Sequence, residues 1–332
     1  VYSDGYCGLA LGMPHADHSK IRPFMDFLLG TGDATSPWTN TTGFWNLMDI
    51  QAAAETFLEG RTSITVGRVA LNFFLIEFHE KILGITITEE EANEFQTFAE
   101  LFLGASILPY VPGVPLLLRR RGAVYVDMYI EAFTNGLANG RIPSNVLAEE
   151  DVTLAAVSIM TGVLFALSPA LGGVTRAVVG VYLNNVGDTN SKLDWSSHVD
   201  LGRAIMEAVR VYPPVMGVTY VDGAIRVAGL VGYSGYDKTV FGENAKNYSI
   251  LYDTVEDYRE RMISWADTAL PVEGKPETSH VCPARSFSFN MLLGFLSALD
   301  VESWMEGPDG KPTVKPLGTG PFFWDEFTIV KK

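Results

Sequence analysis

The sequence predicts a mainly helical domain with a small β part. Three observations carry this. Apolar residues recur at helical spacing along much of the chain, as in Phe73, Phe74, Ile76, Phe78 and Ile82, and again in Phe287, Met291, Leu292, Phe295, Leu296 and Leu299. The stretch from Val152 to Thr175 has no charged residue over 24 positions. Strand-like alternation is confined to the region Val215 to Val231 and to the tail after Thr319.

Composition sets the class. With 332 residues, 47% hydrophobic and 19% charged, the chain is globular and large enough for one big core, here taken as a single domain over 1–332. The net charge of −15 argues against nucleic acid and anionic membrane surfaces as partners, because both repel an acidic protein. The one basic run, Arg119-Arg120-Arg121, is too short to change that. No Walker or dinucleotide fingerprint, zinc spacing or internal repeat occurs, and no signal peptide is visible.

The elements follow in order. A helix is expected from about Pro14, placing His18 and Arg22 at i, i+4 on one face. Taken alone, that pair fits a solvated face equally well. Thr31 to Asn46 reads as a loop. Asn46 to Gly60 and Thr65 to Gly84 read as amphipathic helices, with Gly84 as the C-cap of the second and His79 packed within it. Thr88-x-x-Glu91 is a capping box opening a helix to about Leu103. Leu108 to Pro115, with three prolines, is expected to be irregular, and a helix resumes after Gly122 to about Asn135. Asn139-Gly140 marks a turn.

The uncharged run 152–175 is long enough to cross a membrane. Pro169 and Gly172-Gly173 interrupt it, however, and no second such run exists, so it is read as a helix through a large core. Ser196 to Val211 is a helix stopped by Pro213-Pro214. Val218, Tyr220, the turn Asp222-Gly223, Ile225 and Val227 form a hairpin. Val301 to Lys315 reads as a polar connection. Phe327 to Val330 reads as a final strand.

Cys282 precedes the last long helix. A sulfur there is stabilised by the helix dipole and can serve as a nucleophile, as half of a disulfide with Cys7, or as a haem ligand; it can also be a small buried hydrophobe. Upstream, Glu207-x-x-Arg210 runs into Arg210-x-x-Pro213-Pro214, about 70 residues before Cys282. This combination resembles the cytochrome P450 superfamily. The positions seven and four before the cysteine, where ordinary members have Phe and Gly, are Lys275 and Thr278. Instead Trp265, Gly274-Lys275-Pro276-Glu277-Thr278 and His280-x-Cys282 look like the widened cysteine loop of the hydroperoxide P450s. Those are the allene oxide synthases, hydroperoxide lyases, divinyl ether synthases and epoxyalcohol synthases. The likeness extends to Gly232-Tyr233, to Asp237-Lys238-Thr239-Val240-Phe241 and to His18-Ser19-Lys20-Ile21-Arg22.

The resemblance implies a P450-like fold binding haem b, with Cys282 as thiolate ligand and His18, Arg22 and His280 holding the propionates. It makes Glu207 and Arg210 a buried structural lock. It also implies that the usual N-terminal segment is lacking before Val1. The uncharged helix would cross the distal face of the haem, with Phe165, Phe322 and Phe323 lining a substrate pocket. For Phe322 and Phe323, ordinary sheet packing is an equal reading. No Asp or Glu occurs between Asp151 and Asp188, so the acid–alcohol pair of oxygen-activating members is missing; Thr175 would be the alcohol, but Val174 precedes it. The hydroperoxide group also lacks that pair. Its distal asparagine would fall at Ser158 or Ile159, and no Asn occurs on this helix.

The implied activity is rearrangement of a fatty-acid hydroperoxide, by dehydration, isomerisation or chain cleavage, without dioxygen, NADPH or reductase. One alternative is a monooxygenase or peroxygenase on a small apolar substrate, supported by Thr175 and Gly172-Gly173. Another is a non-catalytic lipid- or haem-binding scaffold. With Cys282 on iron, the implied compartment is reducing, intracellular or plastid-like, and the protein soluble or peripherally membrane-associated, with no transmembrane segment.

Overall fold

A computed structural model describes residues 15–30, 45–107, 114–184, 193–213, 218–222, 225–229, 234–262, 282–316 and 322–332. The elements, in order, are α1 (His15–Leu29), α2 (Leu47–Leu58), β1 (Ser63–Thr65), α3 (Val66–Phe78), α4 (Glu89–Ile107), α5 (Val114–Ala138), α6 (Val152–Ala166), α7 (Gly173–Leu183) and α8 (His198–Val211). Then come β2 (Val218–Asp222), β3 (Ile225–Gly229), α9 (Lys238–Phe241), α10 (Val255–Arg261), α11 (Arg285–Leu299), β4 (Trp304–Glu306), β5 (Val314–Pro316), β6 (Phe322–Trp324) and β7 (Thr328–Lys331). The mainly helical class with a small β part is borne out.

Local chemistry sets the ends of the helices. The side chain of Asn46 accepts from the Met48 N–H at 2.9 Å and caps α2. The capping box forms as expected: Glu91 N–H donates to Thr88 Oγ1 at 3.2 Å, and Thr88 N–H donates to Glu91 Oε2 at 2.7 Å. After α3 the helix widens to a π-turn, His79–Leu83, which ends at Gly84 with φ of 68°. That left-handed conformation suits glycine. Two expectations need correction. Helix α5 begins at Val114, not after Gly122, because Pro115 lies in the first turn, where a missing N–H costs nothing. The region 301–315 carries β4 and the start of β5, each only three residues long and so too short for an alternating pattern to show.

The chain divides into two compact units. The first comprises Val1–Trp45, Leu71–Ser168 and Ala269–Phe287. Within it α5 packs on α6, α4 packs on both, and α1 packs on α6. Phe24 meets Phe133 edge-to-face at 4.9 Å, and Trp45 meets Phe287 at 4.4 Å while its indole N–H donates to the Leu28 carbonyl. His79 is packed, as expected, against Phe95 and Tyr129.

The second unit comprises Asn46–Ala70, Pro169–Thr268 and Ser288–Lys332. Its main sheet is antiparallel in the order β1-β7-β4, with Ile64 opposite Ile329 and Met305 opposite Val330. β2 and β3 form the expected hairpin, Tyr220 opposite Val227. α7 packs on α8 and on β6. Glu326 accepts from the Gly67 N–H at 2.6 Å and pairs with Arg176 at 3.0 Å, tying the start of α3 to α7.

The uncharged run forms α6, then a π-turn over Leu167–Gly172, then α7. The widened turn spans Pro169, whose ring cannot fit a regular helical turn. Among the described residues, no helix is long and apolar enough to cross a membrane.

Candidate active site

The best-defined polar cluster is built on α8. Its apolar stripe, Leu201, Ala204, Ile205, Ala208 and Val209, is buried, and the same helix turns Glu207 and Arg210 inward. Both side chains have no exposure to solvent. Arg210 Nε donates to Glu207 Oε2 at 2.9 Å and Nη2 donates to Oε1 at 2.5 Å. The remaining guanidinium donors are spent on carbonyls. Nη1 bonds Gly235 at 2.7 Å and also Ala245, and Nη2 bonds Asn247 at 3.0 Å. Glu207 takes the Ser249 N–H at 2.8 Å. Burial raises the carboxyl of Glu207, while Arg210, the Ser249 N–H and the Tyr258 hydroxyl act the other way. Every donor is matched, so the pair carries no spare chemistry: it pins the segment 235–249 to α8.

The carbonyl cradle of Gly235, Ala245 and Asn247, and the phenol of Tyr258, were not legible in the sequence. Backbone acceptors leave no mark on residue type.

Cys282 lies half-buried just ahead of α11, and the N–H of Arg285 bonds its carbonyl at 3.3 Å. Cys282 therefore stands next to the positive, N-terminal end of a 15-residue helix. His18 and Arg22 lie on α1 of the same unit, 2% and 5% exposed, so the solvated-face reading of this pair is set aside. Arg22 Nε bonds both oxygens of Asp26, at 2.9 and 3.0 Å. Ser158 and Ile159 are buried on α6, again in this unit. Thr175 is fully buried on α7, in the other unit, and its hydroxyl donates to the Leu171 carbonyl at 2.7 Å.

His280 and the cysteine-loop residues Trp265 to Thr278 lie outside the described residues, as do Cys7 and Gly232-Tyr233. Phe165 stands on α6 and Phe322 and Phe323 on β6, but their side chains lie outside the description.

Solved structures of the same architecture decide the fold. P450BioI, in complex with acyl carrier protein carrying hexadec-9Z-enoic acid, matches with a TM-score of 0.63 at 14% identity, covering 98% of this chain and 82% of that one. The fold is that of the cytochromes P450. CYP154C4 from Streptomyces sp. ATCC 11861 matches at a TM-score of 0.64 and 14% identity, over 99% of this chain and 79% of that one. CYP109B1 from Bacillus subtilis matches at 0.60 and 11%, over 97% and 86%. No family model and no curated protein matches the sequence.

Donor chemistry on the P450 fold fits a haem. A cysteine at a helix N-terminus offers the soft anionic ligand that iron takes in thiolate sites. A buried arginine and histidine on one helix face offer the cationic and hydrogen-bonding groups that propionates need.

Proposed function

We propose that residues 1–332 form one haem domain that rearranges a fatty-acid hydroperoxide. The observation that carries this is Cys282 at the N-terminus of α11, in a chain of P450 fold whose Glu207–Arg210 pair is buried and closed. Cys282 would hold the iron, and His18, Arg22 and His280 the propionates. When bound, a thiolate-ligated haem supplies the electron donation that favours O–O cleavage.

The reaction class rests on the helical run 152–183. It has no acid residue, and the hydroxyl of Thr175 is committed to its own helix. A proton relay toward dioxygen would need both groups. A substrate that already contains its O–O bond needs neither, so no reductase or NADPH enters this reading. The buried face of this helix, with Ala155, Ala156, Ile159, Met160, Val163 and Leu164, is apolar, as a helix that serves an acyl substrate would be. P450BioI, of the same fold, is solved with a long acyl chain on its carrier. Dehydratase, isomerase and lyase outcomes all remain within this proposal.

The second reading is a monooxygenase or peroxygenase on a small apolar substrate. The π-turn running into Gly172-Gly173-Val174-Thr175 favours it, since such turns recur at functional sites.

The test is an optical spectrum before and after anaerobic addition of a linoleate-derived hydroperoxide without reductant. A Soret band with loss of the conjugated-diene absorbance is expected, and Cys282→Ala should abolish both. A Soret band with the diene untouched would favour the monooxygenase. No haem at all, in protein expressed with haem available, would overturn both enzymes and leave a lipid-binding scaffold.

A further inference from the structure

Acidic side chains outnumber basic ones in this chain by 39 to 24, yet among the described residues no carboxylate pairs with Arg141. Its guanidinium is half-buried and held in place. Nη2 donates to the carbonyls of Leu83, at 3.0 Å, and Ala132, at 3.4 Å, which fixes it between the π-turn after α3 and the helix α5. Nη1 rests against Gly84, where a Cβ would meet it at 2.8 Å. Half of the fork thus caps carbonyls, as basic side chains near helix ends often do. Nη1 and Nε have no partner among the described residues. Arg141 lines a cleft of about 450 Å³ in the first unit, a size ordinary for small-molecule sites. The cleft also holds the carboxamides of Asn135 and Asn139. That of Asn135 is without a partner among the described residues, and Asn139 spends only its oxygen, on the Arg141 N–H at 3.0 Å. Glu131 lines the same cleft, exposed and without an ion pair among the described residues. Ile85 and Met128 supply apolar wall.

We propose that this cleft binds a small zwitterion, an α-amino acid with an apolar side chain. Arg141 takes the carboxylate, because a guanidinium fork matches carboxylate oxygens and its position is already fixed by the two carbonyls. Asn135 and Asn139 add amide N–H donors for the same group. Glu131 takes the ammonium, and Ile85 and Met128 receive the side chain. The two unpaired charges narrow the class. A plain carboxylic acid meets repulsion from Glu131, and a plain amine meets repulsion from Arg141; only a ligand carrying both signs satisfies both. None of these residues is assigned to haem or acyl chain, so the site is separate from the proposed function.

The test is a ligand-observed NMR titration of the whole chain with three probes: leucine, isocaproic acid, which lacks the ammonium, and isoamylamine, which lacks the carboxylate. Leucine is expected to bind best. Isocaproic acid should bind roughly two- to fivefold more weakly, the worth of one exposed ion pair. Isoamylamine should bind roughly tenfold more weakly or worse, having lost the charged hydrogen bonds to Arg141. Glu131→Gln should weaken leucine by roughly two- to fivefold and remove its advantage over isocaproic acid. Arg141→Gln should weaken leucine by roughly tenfold or more. That variant also loses two carbonyl bonds, so a fall in its melting temperature leaves the decision to Glu131→Gln, where no bond within the protein is removed. No leucine binding up to about 10 mM overturns the proposal. So does isocaproic acid binding as well as leucine, which would leave an anion site only, or a leucine affinity unchanged in Glu131→Gln. Absence of haem would defeat the proposed enzyme, while the titration still decides on this cleft.

Discussion

Arg210 grips Glu207 through two hydrogen bonds, at 2.9 and 2.5 Å, with neither side chain reaching solvent. A buried ion pair is weak evidence of net stability, because desolvation offsets attraction. Its members still depend on each other, since removal of one strands the other charge inside. Glu207→Ala and Arg210→Ala should each destabilise by about 3–5 kcal/mol. Arg210→Lys should also fail, because an ammonium cannot reach the carbonyls of Gly235, Ala245 and Asn247 while facing Glu207. Urea unfolding of the three variants checks this; a Lys variant as stable as wild type would contradict it.

Gly235 is placed against the same pair. A Cβ there would run into the backbone carbonyl of Arg210, which cannot swing aside as a side-chain tip would. Gly235→Ala is therefore expected to cost about 1–3 kcal/mol through overpacking. Measured together with Arg210→Ala, its effect should be smaller than the sum, because the loop it displaces is then already loosened.

His79 gives the fold a pH dependence. Its Nδ1 lies 2.7 Å from the Leu75 carbonyl, so that nitrogen carries the proton. Burial outweighs this bond and lowers the imidazole from 6.5 to about 4. Between those values the unfolded chain binds more protons than the folded one. Stability present above pH 6.5 should thus be lost progressively as pH falls toward 4. His79→Phe should flatten the dependence of urea midpoint on pH across that window. An unchanged slope would assign it to other groups.

The hydroxyl of Thr175 is tied to Leu171, so Thr175→Val should cost only about 1 kcal/mol and leave hydroperoxide consumption intact. A collapse of turnover with folding preserved would shift the balance to the monooxygenase reading. Steady-state consumption of the diene chromophore reads this directly.

Thr88→Ala should lower stability by about 1 kcal/mol, because the capping box opens α4 with two reciprocal bonds. Glu91→Gln should be nearly neutral, since an amide oxygen can still accept from Thr88. Thermal melts of the two variants suffice.

Features that depend on neighbours along the chain were legible from residue order. Apolar periodicity located α2, α3 and α8, the Thr88–Glu91 spacing located the start of α4, and the alternation at 218–227 located the β2–β3 hairpin. Each signal lies within a few residues, where helix turns and strand pleats repeat. The Glu207–Arg210 spacing likewise placed two side chains on one face of α8, while their burial was an expectation of the P450 resemblance and not of the spacing. Other features depend on contacts between distant parts of the chain. β1 pairs with β7 across the length of the chain, and β4 joins them from another direction, so no local pattern could announce that sheet. Pro115 reads as a helix breaker until its place in the first turn of α5 is known. Thr175 and Ser158 look alike as helical alcohols in a list of residues. One is bonded to its own backbone and the other is not, and that difference lies in hydroxyl geometry and burial, which residue identity does not encode.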